Sequence, residues 1–451
     1  MKKRSFALST THIILLSFLI VILLGTVLLT LPVSSAKGTP TPFLDALFTA
    51  TTSTCVTGLV VVPTASHWSN FGHVVILFLI QIGGLGVITI LSAIMILLHK
   101  KIGIGERLLL QDSFNLNSLS GLVRFVKRVV AGTFLIEGLG ALLYMTVYIP
   151  EFGLKGIWIS VFTSISAFCN AGIDIIGENS LCNYTLHPTV NAVTCALIIL
   201  GGMGYIVWWD VLRVLRQFPK RKKMFRNLTL HSKIAISATL ILIFAGALLI
   251  FVLEYNNPLT MKDYTLPERM QASLFQSVTT RTAGFATIPQ ENLSDATSIV
   301  CLLLMFIGGS PVGTAGGIKT VTFAIILVSA FASIRNKEDT DLFGRQISKQ
   351  AISKAVAVMT MSFLILFVST ILLSGVTDAS ALDIAYETVS ATATVGLTRN
   401  LTPSLSSVGR LIIIVTMYLG RVGPISLAIA FNRKHTNHNS IKNPTEDISV
   451  G

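Results

Sequence analysis

The chain has 451 residues, of which 52% are hydrophobic and only 12% charged, with a mean hydropathy of +0.74. Soluble domains average about 25% charged residues, so an ordinary soluble protein is excluded. A net charge of +13 would suit nucleic acid as a partner, but its distribution argues otherwise.

Basic residues cluster in every second loop, at 2–4, 100–107, 213–226, 335–354 and 433–442. The alternate loops carry isolated charges such as Lys37, Lys155, Lys262 and Arg269. Excess Lys and Arg mark cytoplasmic loops, which puts the clustered loops and both termini in the cytoplasm. Some of these residues are expected to meet anionic headgroups. No nucleic acid is expected.

In chain order, the first apolar run (12–31) has the roughly 20 residues that cross a bilayer as a helix. The SSA at 34–36 resembles a signal-cleavage site, yet the run exceeds the about 7–15 residues of a signal core. A retained span is expected. Next comes ALFTATTSTCVTGL (46–59), a short amphipathic helix opened by Pro42 and Asp45 and closed by a polar turn at Gly58. An apolar helix carrying GGLG (83–86) completes the unit.

The same order returns three times. SVFTSISAFCNAGI (160–173) follows Gly153 and ends at Gly172, with GGMG at 201–204. SLFQSVTTRTAGF (273–285) follows Pro267 and ends at Gly284, with GGSP at 308–311. IAYETVSATATVGL (384–397) follows Asp378–Asp383 and ends at Gly396, with GRVG at 420–423. The glycines are spaced by 114, 112 and 112 residues (172−58, 284−172, 396−284). A lone glycine after a polar turn is commonly a helix cap; four at even intervals after short helices are not. The units are 9–105, 122–228, 230–340 and 350–434, with a cytoplasmic tail at 435–451.

The expected fold is an all-α polytopic membrane protein. Four pseudo-symmetric repeats, each helix, pore helix, filter loop and helix, surround one central pore in a potassium-channel-like arrangement with eight transmembrane helices. Non-helical backbone at membrane depth survives only when buried in protein or facing a wet cavity. Glycine lets carbonyl oxygens turn toward a shared axis, and a carbonyl ring can replace an ion's hydration shell. The candidate filter residues are Thr57, Gly58, Ala171, Gly172, Ala283, Gly284, Val395 and Gly396. Supporting residues are Thr54, Thr280, Arg281, Thr282, Thr392 and Thr394. The negative ends of four short helices would favour a cation, and a weakly hydrated monovalent one fits best.

Arg281 departs from the pattern, since Cys55, Cys169 and Ala393 hold the equivalent positions. A cation there would repel the ion, so Arg281 is expected to point away and pin its loop through carbonyls or an acid. The third unit is also one residue shorter between its aromatic, Phe275, and its glycine.

GGSPVGTAGGIKT (308–320) breaks the third inner helix. A helix-interior Gly costs about 1 kcal/mol against Ala and Pro about 3, so the accumulation implies a role. Gly308, Gly309, Ser310, Pro311, Gly313, Thr314, Gly316, Gly317 and Lys319 form a candidate gate loop below the filter. Arg421 lies deep in an apolar helix, where a charge costs about 2.5–3.5 kcal/mol and faces a cavity. It is expected to raise a barrier in the pore or to hold the gate loop. Lys319 is expected to cap the loop's end or reach the cytoplasm. Glu137, in LIEGLGALL, is expected to partner a basic residue.

The five cysteines and eight histidines show no ligand spacing, so no metal is expected beyond the transported ion. No P-loop, HExxH or GxSxG is present, and an enzyme is not expected. A cation-coupled secondary symporter of another small solute, also built from repeats and broken helices, is the alternative.

The four glycines, segment 308–320, LGRVGP (419–424) and the closing PTEDISVG together resemble the Trk/Ktr/HKT superfamily of potassium transporters. Length and architecture most resemble its KtrB-type membrane subunits. The resemblance implies potassium uptake at the plasma membrane and a homodimer with one pore per subunit. It also implies a cytosolic KtrA-like ring that binds ATP or ADP, so that nucleotide acts only through the partner. Sodium activation is a further trait of the family. Glycine in all four repeats goes with potassium preference in such proteins, whereas serine in the first relaxes it toward sodium.

Overall fold

A computed structural model describes residues 10–99, 103–113, 121–217, 224–337 and 339–423. The basic clusters at 2–4 and 433–442, parts of those at 100–107 and 213–226, the fourth unit beyond 423 and the tail 435–451 lie outside the described residues.

The described residues are mostly helical. Four long apolar outer helices run over Thr10–Thr30, Leu122–Phe152, Leu230–Glu254 and Lys349–Ser374. Each is long and apolar enough to cross a membrane. Each precedes a short helix: Phe43–Cys55, Lys155–Cys169, Leu266–Thr279 and Ala381–Ala393. An inner helix follows each of these, beginning at Asn70, Pro188, Asp295 and Ser407.

The short helices sit at the centre. Most of their residues are buried, including the polar Thr49, Thr51–Thr54 and their counterparts Ser160, Thr163, Ser164, Ser166, Ser273, Gln276, Ser277 and Thr279. The outer helices instead present exposed apolar side chains such as Phe244, Leu248, Phe363 and Phe367. That inversion suits a protein with lipid outside and a polar interior. Small residues let the layers approach: Ser164 Oγ donates to Glu137 O at 2.6 Å, and Ser277 Oγ to Ile243 O at 2.8 Å. Gly140 and Gly246 lie directly opposite those two serines, in the manner of small-residue helix contacts in membranes.

Inner-helix starts carry conventional caps. Ser69, Ser294 and Ser406 accept from the amides of Gly72, Thr297 and Gly409. The third short helix opens with a capping box between Thr265 and Glu268. In the fourth, within the expected stretch Asp378–Asp383, Ser380 is the cap and accepts from the Asp383 amide.

The inner helices differ from expectation. A break was expected only in the third unit, yet the first two inner helices also bend, each by 98°. The bends fall at Gly86 and Gly204, with φ of +86° and +87°, backbone open to glycine at little cost. Gly423 has the same conformation at φ +92°. The third inner helix stops at Phe306 and resumes at Thr320.

Candidate functional site: four glycine turns above a glycine-rich loop

Each turn after a short helix has a left-handed residue two positions before its glycine. These are Val56, Asn170, Thr282 and Thr394, with φ from +51° to +69°. The glycines follow at φ of +97°, +63°, +81° and +99° for Gly58, Gly172, Gly284 and Gly396.

The four turns meet in a closed cycle. A Cβ on Gly58 would come within 2.5 Å of the Ala171 carbonyl oxygen, one on Gly172 within 2.5 Å of Ala283 O, and one on Gly284 within 2.5 Å of Val395 O. Gly396 faces Thr57 O and closes the circle. All eight expected filter residues are therefore brought together. No side chain fits at the glycines, because what it would strike is backbone.

Hydroxyls one turn back tie the loops down. Gly58 N donates to Thr52 Oγ1 at 3.0 Å, Ile173 N to Ser166 Oγ at 3.1 Å, and Gly396 N to Ser390 Oγ at 3.0 Å. In the third unit Thr279 Oγ1 donates to Phe285 O at 2.6 Å. Sequence reasoning missed Thr52, Ser166, Thr279 and Ser390, although their alignment six residues before the glycine (five in the shorter unit) was visible. The missing residue also has a location. Thr57, Ala171 and Val395 amides bond five residues back, whereas Ala283 N bonds four back to Thr279 O at 3.0 Å.

The supporting threonines divide into two groups. The hydroxyls of Thr54, Thr57, Thr392 and Thr394 are buried without a hydrogen-bond partner among the described residues. Thr280 Oγ1 donates to Ser277 O, and Thr282 Oγ1 accepts from Asn170 Nδ2 at 3.5 Å across neighbouring turns.

Arg281 points away from the ring. Its Nη1 donates to Thr239 O at 3.2 Å, and its Nη2 to Thr239 Oγ1 at 3.3 Å and Gly308 O at 3.4 Å. Its partners are carbonyls and a hydroxyl, with no acid among them. Glu137 corrects the expectation of a basic partner: Gln81 Nε2 donates to it at 3.3 Å, and the Cys169 thiol lies 3.8 Å away.

The second glycine landmark seats the inner helices on the short-helix ends. Gly83 abuts Thr54 O, Gly201 abuts Phe168 O, and Gly420 abuts Thr392 O. All three carbonyls lie four residues before a ring glycine.

Segment 308–320 packs directly beneath the turns. Its neck is closed by Gly308 N to Ile318 O at 2.9 Å, Thr320 N to Gly309 O at 3.0 Å, and Ser310 Oγ to Thr320 Oγ1 at 3.0 Å. Ser310 N donates to Gly202 O at 2.7 Å, Thr314 N to Gly201 O at 3.2 Å, and Tyr205 N to Val312 O at 2.9 Å. Thr314 Oγ1 donates to Phe168 O at 3.0 Å, Pro311 O abuts Gly204, and Gly316 sits against Thr394. Gly313 and Gly317 pass close to the backbone of Gly201 and Gly308.

Arg421 holds this loop through carbonyls. Its Nη1 donates to Thr314 O at 2.6 Å, and its Nη2 to Gly83 O at 2.5 Å. Lys319 Nζ caps the loop internally, donating to Ala315 O at 2.5 Å. A cavity of about 330 Å³ opens below, lined by Gly83–Thr89, Pro311–Gly313 and Arg421. Among the described residues, no group of His, Cys, Asp and Glu has metal-binding geometry.

Comparisons with known proteins agree with this architecture. A family model described as TrkH, cation transport protein, matches residues 2–443. The chain is 40% identical to the potassium/sodium uptake protein NtpJ of Enterococcus hirae, over 100% of this chain and 99% of the relative. It is also 40% identical to the Ktr system potassium uptake protein B of Bacillus subtilis, over 98% and 96% of the two chains. The fold resembles the crystal structure of the potassium transporter TrkH from Vibrio parahaemolyticus with a TM-score of 0.75 at 15% identity, covering 96% of this chain and 86% of that one.

Proposed function

This chain belongs to the TrkH family of cation transport proteins, and on that premise we propose that it carries potassium into the cell through the ring of glycine turns. The carrying observation is the cycle in which each ring glycine faces the carbonyl of the residue before the next ring glycine. Four sets of backbone oxygens around one axis can replace the water shell of a large monovalent cation. The short helices add the negative ends of their dipoles to the same point. The buried hydroxyls of Thr57 and Thr394 are further oxygen ligands or loop anchors. The shared register of glycine, left-handed residue and hydroxyl tie supports the proposed pseudo-symmetry of four repeats, 9–105, 122–228, 230–340 and 350–434.

Eight spans are proposed: four outer helices and four inner helices, the first three of which are interrupted at Gly86, at Gly204 and between Phe306 and Thr320. Loop charge then puts both termini in the cytoplasm. Segment 308–320 is proposed as the gate, blocking the path beneath the ring while Arg421, Lys319 and Arg281 hold it. The relatives' names also support a partner subunit: the Bacillus subtilis protein is named for a Ktr system. A homodimer controlled by a cytosolic KtrA-like ring that binds ATP or ADP is the proposed assembly. The Enterococcus hirae relative is named for both potassium and sodium, and sodium is proposed here as an activator.

The test is uptake in cells that lack their own potassium uptake, comparing the unaltered chain with Gly58→Ser and Gly284→Ser. Both serines would meet a carbonyl at 2.5 Å and force the ring open. Potassium preference over sodium should fall in both variants. Full preference in both would sink the filter assignment, and saturable coupled uptake of an organic solute would favour a symporter instead.

A further inference from the structure

The second inner helix turns through 98° at Gly204 and continues as Tyr205–Arg216. This half is amphipathic: Tyr205, Val207 and Val214 are buried, Leu212 and Leu215 are exposed apolar residues, and Arg213 and Arg216 are exposed bases. A helix turned nearly at right angles to its membrane-crossing half, with leucines and arginines on its free face, fits the membrane interface.

A second basic element meets it there. The outer helix Leu122–Phe152 spans about 46 Å at 1.5 Å per residue, longer than a hydrocarbon core of roughly 30 Å. Its bases Arg124, Lys127 and Arg128 all fall in the first two turns, and the apolar run begins at Val129. Arg128 is therefore the last base before the apolar run. Its guanidinium lies 5.7 Å from the centre of the Trp209 ring, and Trp is itself an interfacial residue.

Between these elements lies a half-open cavity of about 600 Å³, lined by Arg128, Trp209, Asp210, Arg213, Arg216 and Thr229, among others. Its charge is unbalanced. The one carboxylate among its described lining residues, Asp210, is engaged by Arg213 at 2.6 Å and by the amide and hydroxyl of Thr229 at 2.8 and 2.9 Å. Arg128 and Arg216 have no ion pair among the described residues. The Trp209 indole N–H is buried and has no acceptor among the described residues.

We propose that this cavity binds the phosphodiester headgroup of an anionic phospholipid of the cytoplasmic leaflet. Arg128 and Arg216 supply the charge, Trp209 supplies an aromatic wall, and Leu212 and Leu215 lie along the acyl chains. Planar guanidinium forks match phosphate oxygens in pairs. The site rests on the cytoplasmic placement of this end of the chain, not on the filter reading. It also reaches the glycine-rich loop, because the first amide of the same helix, Tyr205 N, holds Val312 O at 2.9 Å. Headgroup occupancy thus bears on the helix that buttresses that loop.

The experiment is native mass spectrometry of the full-length protein released from vesicles of phosphatidylcholine with or without phosphatidylglycerol. Three proteins are compared: the unaltered chain, the double variant Arg128→Gln/Arg216→Gln, and Lys155→Gln at the opposite membrane face. Each is checked for an unchanged thermal midpoint, and Arg128→Lys/Arg216→Lys serves as a charge-preserving second variant. The unaltered chain and Lys155→Gln should retain phosphatidylglycerol in preference to phosphatidylcholine. The Gln pair should retain at least tenfold less, and the Lys pair an intermediate amount. Equal phosphatidylglycerol retention by the Gln pair and the unaltered chain would overturn the proposal. So would displacement of the lipid by millimolar inorganic phosphate, which would point to a soluble anion as the ligand.

Discussion

Arg281 Nη2 donates to the carbonyl of Gly308 at 3.4 Å, so the third glycine turn and the first residue of the glycine-rich loop share one guanidinium. The same side chain reaches Thr239 on the outer helix. Turn, loop and outer helix are therefore fixed by a single charge that has no acidic partner among the described residues.

Replacing Arg281 with Ala should disturb selectivity and the resting closed state together. Hydrogen bonds to a charged group contribute about 1.5–3 kcal/mol, and about 1.4 kcal/mol is a tenfold change. A loss of potassium-over-sodium preference of roughly tenfold is expected in competitive uptake. Arg281→Lys should recover only part, since one ammonium cannot reproduce the forked contact. Unaltered selectivity in the Ala variant would remove the strut role.

Excising 309–317 joins ends that already lie side by side, with Gly308 N 2.9 Å from Ile318 O. Initial potassium flux should rise, measured in proteoliposomes with assembly verified by gel filtration. Arg421→Ala, which frees Thr314 O and Gly83 O, should move flux in the same direction by a smaller amount. Equal or lower flux in the correctly assembled deletion would show that the loop does not gate.

Gly420 abuts Thr392 O, whereas Gly138 has open space where a Cβ would go. Gly420→Ala should destabilise by about 1–3 kcal/mol, the usual overpacking range. Gly138→Ala, exposed in a helix interior, should stabilise by up to about 1 kcal/mol. Thermal midpoints in detergent give the opposite signs directly. Similar shifts for both would deny the close seat.

Glu268, outside the membrane span, accepts from the Thr265 amide and hydroxyl, both at 2.7 Å. Those bonds, the backbone one first, hold its carboxyl below the usual range. A carboxylate with a lowered folded pKa contributes stability above its unfolded value of about 4.3, and that contribution is lost as pH falls through the folded pKa. The unaltered chain should therefore lose part of its thermal midpoint below about pH 4 that Glu268→Gln does not lose. Parallel pH curves for the two would mean that the box contributes nothing.

How far the sequence reaches is clearest at particular residues. Gly58, Gly172, Gly284 and Gly396 were legible because a repeat leaves the same backbone need at the same place in every copy. The outward turn of Arg281 was legible because a cation in a cation path is electrostatically excluded. The bends at Gly86 and Gly204 were not, because GGLG and GGMG lie in segments apolar enough to be read as unbroken helices. Glu137 was misassigned because Gln81 and Cys169 approach it only when the first inner helix and the second short helix pack together.

The sequence by itself determined a membrane-embedded helical chain, the four short helices, their glycines and the breakable segment 308–320. These follow from local rules of hydropathy, periodicity and backbone freedom, which act within a few turns of chain. Only the tertiary structure decided which carbonyl faces which glycine, that Arg421 holds Thr314, and that Gly83, Gly201 and Gly420 seat the inner helices. Those contacts join residues separated by about 30 or more positions along the chain, and hydropathy carries no record of the partner across such a distance.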